Sequence, residues 1–202
     1  MRPALPRLHA ITDERVARRT DLHEVARELA TAGGANLALH ARGRALSGLE
    51  HYDLAVHLSN LRSPVFVNDR LDIALAMNVA GVQLSAASLP VSAARRVRAG
   101  WWIGKSVHDL AEAEAAKAEG ADYLLVGPVY ATASHPDRAP LGVEALGRIA
   151  ELGLPVIAIG GIDPDRARHV KAAGAYGAAA IRALWDALNP GDAARRMLEE
   201  LQ

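Results

Sequence analysis

The residues of this chain that could do chemistry fall at the ends of short apolar runs. Ala158-Ile159 leads into Gly160-Gly161-Ile162, followed by Asp163-Pro164, which reads as a helix start. Paired glycines ahead of a helix let backbone N–H groups approach an anion closely, and the helix dipole favours negative charge there. Arg182 closes the next apolar run. Phosphate binding at Gly160, Gly161 and Arg182 is therefore favoured over a plain tight turn. Asn68-Asp69-Arg70 follows Pro64–Val67. An Asn-Asp pair at a strand end can hold a Mg2+-bound oxyanion through hard oxygen ligands, or it can cap a helix. On spacing alone the cap is the stronger reading. Of eight histidines, His23, His57 and His169 fall on helical or loop stretches, His9 lies within an apolar run, and His108 opens a helix. His40 and His135 differ, because each sits at the end of a run or in the long loop beside one. A histidine titrating near neutrality can move protons to and from carbon or a ring nitrogen.

The elements that must position these residues repeat as one unit: apolar run, polar loop, amphipathic helix, glycine. The runs are Leu8–Ile11, Ala35–Leu39, Pro64–Val67, Gly81–Leu84, Trp101–Gly104, Tyr123–Val126, Pro155–Ile159 and Ala178–Ile181. They are continuously apolar rather than alternating, as parallel strands covered by helices are. Helical spacing follows the first run, where Leu22, Val25, Ala26 and Leu29 share one face. It recurs over Leu71–Val79, Ser92–Val97, Leu110–Glu119, Val143–Leu152, Asp165–Ala173 and Asp192–Leu201, with Asp109 and Asp163 as starts. Gly33, Gly81, Gly100, Gly120, Gly153 and Gly174 stand where a left-handed helix end is expected. Two connections exceed the short period, Arg42–Tyr52 and Ala131–Leu141, and these long loops are expected to be functional.

Eight units favour a closed ring over a doubly wound open sheet. The expectation is α/β, a single (β/α)8 TIM barrel over residues 1–202, with its site at the C-terminal strand ends. Reading those ends gives a polar ring: Thr12, Asp13, His40, Arg42, Asn68, Asp69, Arg70, Gln83, Ser85, Lys105, Ser106, Gly127, Thr132, Ser134, His135, Gly160, Gly161 and Arg182. A formal net charge of zero gives no electrostatic reason for nucleic-acid or membrane partners. No run is long enough to span a bilayer, and the first residues lack a signal-peptide pattern. A cytoplasmic enzyme on a small phosphorylated molecule is expected. The absence of cysteine excludes disulfides and thiolate chemistry. Oligomeric state is open, a homo-oligomer included, and Trp185 is read as plain packing ahead of an interface.

Taken in order, the residues resemble the thiamine phosphate synthase and TenI superfamily. The matching stretches are Leu8-His9-Ala10-Ile11-Thr12-Asp13, Val67-Asn68-Asp69-Arg70-Leu71-Asp72-Ile73-Ala74, Gly81-Val82-Gln83-Leu84, Ile103-Gly104-Lys105-Ser106-Val107-His108, Ala121-Asp122-Tyr123 through Gly127-Pro128-Val129-Tyr130-Ala131-Thr132, and Ala158-Ile159-Gly160-Gly161-Ile162. The resemblance implies a barrel that binds hydroxyethylthiazole phosphate. Synthases of the family join it to a pyrimidine diphosphate, with Mg2+ and basic residues carrying the departing diphosphate. TenI-like members tautomerise a thiazole carboxylate phosphate. By position, Gly160, Gly161, Thr132 and Ser134 carry over as phosphate or substrate-loop residues, Asn68 and Asp69 to the diphosphate and Mg2+ site, and Ser106 to the pyrimidine side.

The departures from the pattern carry the reading. The family's Gln-Leu-Arg-Glu-Lys signature stands here as Ala38-Leu39-His40-Ala41-Arg42. Its arginine is replaced by His40, and Arg42 keeps a charge at the lysine position. The second Mg2+ carboxylate is replaced by Ser88, and the substrate-loop lysine by His135. A departing diphosphate develops charge that metal and fixed cations must meet, so these exchanges weaken synthase chemistry. The leading expectation is a TenI-like tautomerase, with proton transfer by His135 or His40 and no cofactor. Against it, Pro128 stands where tautomerases place their histidine. The first alternative is a divergent synthase, with Mg2+ on Asp69 and with Arg42 and Arg70 on the diphosphate. The second is a non-catalytic binder of a thiazole or thiamine phosphate.

Overall fold

A computed structural model describes residues 2–133 and 138–202. Its strands are β1 (Leu8–Ile11), β2 (Leu37–Ala41), β3 (Val65–Asn68), β4 (Gly81–Leu84), β5 (Trp102–Val107), β6 (Tyr123–Val126), β7 (Val156–Ile159) and β8 (Gly177–Ala180). All neighbours pair in parallel, and β8 returns to β1 to close the ring. The expected (β/α)8 barrel is the fold. The strands read as unbroken apolar runs because both faces are covered. Leu8, Ala10, Leu37, Leu39, Val65, Val67, Val82 and Leu84 pack in one large core cluster with the helices. Ile11, Ala38, Phe66, Tyr123, Leu125, Ile157 and Ala179 form a second cluster inside the ring.

The helices are α1 (Glu14–Ala17), α2 (Leu22–Gly33), α3 (Gly48–Ser59), α4 (Leu71–Ala76), α5 (Val91–Val97), α6 (Leu110–Ala118), α7 (Gly142–Ala150), α8 (Pro164–Ala172), α9 (Arg182–Trp185) and α10 (Pro190–Glu200). Asp109 and Asp163 cap α6 and α8, accepting from the Glu112 and Arg166 N–H groups. The connection Arg42–Tyr52 is not one long loop. Its second half is the first turn of α3, closed by a capping box in which Ser47 and Glu50 satisfy each other's backbone N–H groups. The second strand lies two residues beyond the apolar run, so His40 is inside it. Of the glycines expected to end helices, Gly120, Gly153 and Gly174 take positive φ, whereas Gly34 does so in place of Gly33. Gly81 is a strand residue instead.

Ring size and glycine position are matched inside the barrel. A Cβ on Gly81 would stand 2.7 Å from the Phe66 ring, and one on Gly104 2.2 Å from the Tyr123 ring. Glycines on β4 and β5 thus give space to the large rings of β3 and β6. Trp185 and Trp101 are buried in the chain's own core, which agrees with the packing role expected of Trp185. Among the described residues no helix is long and apolar enough to cross a membrane.

Candidate active site

The mouth of the barrel begins at β1, β2 and β3. Thr12 is fully buried with its hydroxyl in reach of two backbone carbonyls, that of His40 on β2 at 2.9 Å and that of Arg42 just past it at 2.7 Å, between which its one hydrogen is shared. The Arg42 N–H returns a bond of 2.9 Å to Thr12 Oγ1. This pins the backbone from which the Arg42 side chain leaves. Burial pulls the Arg42 pKa down and the nearby Arg44 adds to that, while Glu14, Asp13 and Asp69 oppose both. Arg42 is therefore a partly desolvated cation facing carboxylates at the mouth.

Asp69 has φ of 60°, a left-handed conformation that Asp tolerates better than most residues because its short side chain can bond locally. Its N–H donates to the Gln83 carbonyl at 3.0 Å, and its Oδ1 accepts the Ser85 N–H at 2.7 Å. Neither Asn68 nor Asp69 caps α4, whose first flanking residue is Arg70 with no side-chain cap bond. The helix-cap reading of this pair thus fails, since the positive φ turns the Asp69 carboxylate across to β4. Arg70 is paired with Asp72 at 2.6 Å.

His40 does not lie at the rim. It is fully buried, stacked on Phe66 with centroids 5.0 Å apart. Its Nε2 lies 2.8 Å from His9 Nδ1 and its Nδ1 3.1 Å from Asn68 Oδ1. Burial pushes the His40 pKa well below the usual histidine range, and the neighbouring His9 and Arg42 push the same way. Burial likewise lowers His9 to about 4 against the bond to Pro6. Sequence reasoning passed over His9, although a polar residue inside an apolar run was the available signal. It also passed over His51, which is buried on α3 with Nε2 2.9 Å from the Ala41 carbonyl.

On β5, Ser106 Oγ accepts from Gln83 Nε2 at 3.1 Å. The Gln83 Oε1 and the Tyr123 hydroxyl are buried without a partner, so the interior between β4 and β6 holds one unspent acceptor and one unspent donor. At the far side, Gly160 and Gly161 have φ of 100° and 65°. A Cβ at Gly160 would lie 2.6 Å from Pro128 Cα, and one at Gly161 2.7 Å from the Ala131 carbonyl. Both glycines are thus required by conformation and by the segment that follows β6. Arg166 covers this turn, donating to the Gly161 carbonyl at 2.7 Å with its guanidinium 4.6 Å from the Tyr130 ring. Because β7 pairs with β8, the start of α9 with exposed Arg182 stands at the next strand end. Thr132 is half-buried on the segment after Tyr130. Ser134 and His135 lie outside the described residues.

Asp69 thus stands within electrostatic reach of Arg42 at the β2–β4 side, the Gly160–Gly161 turn lies at the β7–β8 side, and Gln83, Ser106 and Tyr123 line the interior between.

Known proteins resemble this chain over nearly its whole length. The family model described as thiamine monophosphate synthase matches residues 8–184. A thiamine-phosphate synthase of Chloroflexus aurantiacus is 38% identical, over 95% of this chain and 90% of its own length. One from Methanoculleus marisnigri is 42% identical, covering 88% and 86%. The solved structure of a thiamine phosphate pyrophosphorylase from Pyrococcus furiosus superposes with a TM-score of 0.81 at 32% identity, over 96% of this chain and 95% of that one. The chain belongs to the thiamine monophosphate synthase family.

Proposed function

We propose that this barrel is a thiamine phosphate synthase, which reverses the order of the two enzymatic readings drawn from sequence. The observation that carries it is the Asp69 carboxylate standing within electrostatic reach of Arg42 at the mouth, set beside the inaccessibility of His40. A tautomerase needs a base that reaches the ring, and His40 is buried beneath Asn68 with both nitrogens engaged. The relatives named as synthases support the same choice. In this reading the C–O bond between the pyrimidine methylene and the diphosphate breaks, the thiazole nitrogen forms the new C–N bond, and diphosphate departs.

Asp69 fits Mg2+ as a single carboxylate. One oxygen is held by Ser85, and the other would be available to Mg2+, which prefers hard oxygen ligands and retains waters. Among the described residues no cluster of three acidic, histidine or cysteine side chains could hold a metal alone. When bound, Mg2+ would supply charge neutralisation for the departing diphosphate. Arg42 adds a fixed cation on the same side. Asn68 and Ser106 line the substrate cavity. Gly160, Gly161 and Arg182, with Thr132 and Ser134, bind the thiazole phosphate. Each position on this list is part of the proposal.

The test is product formation by purified protein with thiazole phosphate, pyrimidine diphosphate and Mg2+. Thiamine phosphate at an enzymatic rate is expected. Turnover of the thiazole carboxylate phosphate alone would restore the tautomerase, with His135 as its base. Tight binding of thiazole phosphate without either reaction would leave a binder.

A further inference from the structure

Three hydrogen-bond links run through the floor of the site, and the proton count along them is constrained. His9 Nε2 lies 3.0 Å from the Pro6 carbonyl, His9 Nδ1 lies 2.8 Å from His40 Nε2, and His40 Nδ1 lies 3.1 Å from the Asn68 amide, with Oδ1 the nearer atom. A carbonyl oxygen only accepts, so His9 Nε2 carries a proton. The middle link needs one more, on either ring. If the Asn68 oxygen faces His40, then His40 Nδ1 must donate as well. That places three protons on two rings and one positive charge on the pair. If the Asn68 NH2 group faces His40, two protons suffice. His40 Nε2–H then donates to His9, His9 Nε2–H donates to Pro6, and both rings are neutral with every link made. A half-turn of the amide exchanges its oxygen and nitrogen without changing its outline, so the network, rather than the shape, selects the orientation.

The surroundings decide between the two. Both rings are fully buried, with Phe66 stacked on His40 and Tyr123 5.7 Å from His9 between ring centroids. The charged side chain acting on His40 is Arg42, a cation, and no carboxylate is among the influences on either ring. A buried cation without a carboxylate forfeits its hydration with no partner to replace it, and the neutral arrangement gives up no hydrogen bond.

We infer that His9 and His40 form a neutral positioning pair that turns the Asn68 amide nitrogen toward His40 and its oxygen toward the barrel mouth. Asn68 then offers an acceptor beside Asp69. The ligand group it recognises is a donor, an amine or a bound water, and not a bare phosphate oxygen. This departs from the diphosphate contact that the resemblance implies for Asn68. The consequence for turnover rests on the synthase reading; the orientation does not.

The experiment needs no substrate. Long-range 1H–15N correlation spectra of the imidazoles, recorded near pH 7.5 on the full 15N-labelled chain and assigned through backbone connectivity, report which ring nitrogens carry protons. Both His9 and His40 are expected as neutral rings protonated at Nε2 alone. A proton on His40 Nδ1, or a doubly protonated ring in the pair, overturns the inference. A second spectrum, of Asn68→Asp, checks the cause. A carboxylate can only accept, so His40 Nδ1 should gain a proton in that variant, and a spectrum unchanged from the parent's would show that the amide NH2 was not holding His40.

Discussion

The Oδ1 of Asp69 accepts the Ser85 N–H at 2.7 Å, tying the mouth end of β3 to that of β4 from a residue whose φ is 60°. The carboxylate thus has one oxygen in a structural bond and, in the proposed synthase, one for the metal, and the two duties separate by mutation. Asp69→Asn keeps an acceptor for Ser85 and tolerates the left-handed backbone. Its stability should stay within about 0.5 kcal/mol of the parent. Synthase activity should fall by roughly two orders of magnitude, with the Mg2+ concentration for half-maximal rate raised. Denaturant melts beside a Mg2+ titration of the initial rate check both halves. An Asp69→Asn enzyme with unaltered Mg2+ dependence would remove Asp69 from the metal site.

Gly161 has φ of 65° and no room for a Cβ beside the Ala131 carbonyl. Gly161→Ala should lose about 1–2 kcal/mol from the left-handed backbone alone. The KM for thiazole phosphate should rise more than that for the pyrimidine diphosphate. Steady-state kinetics with each substrate varied in turn make the comparison, and equal rises would place this turn away from the thiazole phosphate.

Acid should weaken the barrel well before its carboxylates titrate. Burial lowers His9 to about 4 and holds His40 well below its unfolded value. Below an unfolded histidine pKa of about 6.5, the unfolded chain therefore binds more protons than the native one. Stability is full above that value and falls as pH drops toward 4, with a slope of up to about 1.4 kcal/mol per pH unit per histidine. Among the carboxylates, Asp72, lowered to about 2 by its bond to Arg70, loses its contribution only at more acid pH. Urea midpoints between pH 7.5 and 4.5 measure the slope, and His9→Gln should flatten it. A flat profile in the parent would mean that the pair is charged in the native state.

Ser47 caps α3, and its hydroxyl accepts the Glu50 N–H at 3.2 Å. Ser47→Ala should cost about 1 kcal/mol, a Tm lower by roughly 2–4 °C for a chain of this size, with turnover at 25 °C unaltered. Calorimetry and a rate assay on one preparation test this. A drop in kcat without a drop in Tm would assign the α3 start to the site.

The strands and most helices were readable because each apolar run is bounded by polar or glycine residues. Three features were not. The start of α3 reads as loop because its inner face includes His51 beside Leu54, Ala55 and Leu58, so apolar spacing does not announce it. The three-residue spacing of Ser47 and Glu50 is the signal that could have found it. The inside of the ring was hidden for a different reason. Continuous burial of both strand faces erases the alternation that would separate His9 and His40 from their helix-facing neighbours. His40 therefore read as a strand-end base when it is part of the floor. The backbone turn at Asp69 has no pattern in the sequence at all, because Asp-Arg after a strand suits a helix cap equally well.

The matching of Gly81 to Phe66 and of Gly104 to Tyr123 has a consequence for how this barrel can diverge. At position 104 a side chain is admitted only if the Tyr123 ring shrinks and the Gln83 amide, 2.3 Å from a Cβ, swings aside, and a ring that shrinks first leaves a void. At position 81 the backbone carbonyl of Trp102, 2.3 Å from a Cβ, bars a side chain even if Phe66 shrinks. Descendants should thus keep glycine at 81 whatever stands at 66, whereas Gly104 and Tyr123 should be kept or replaced together.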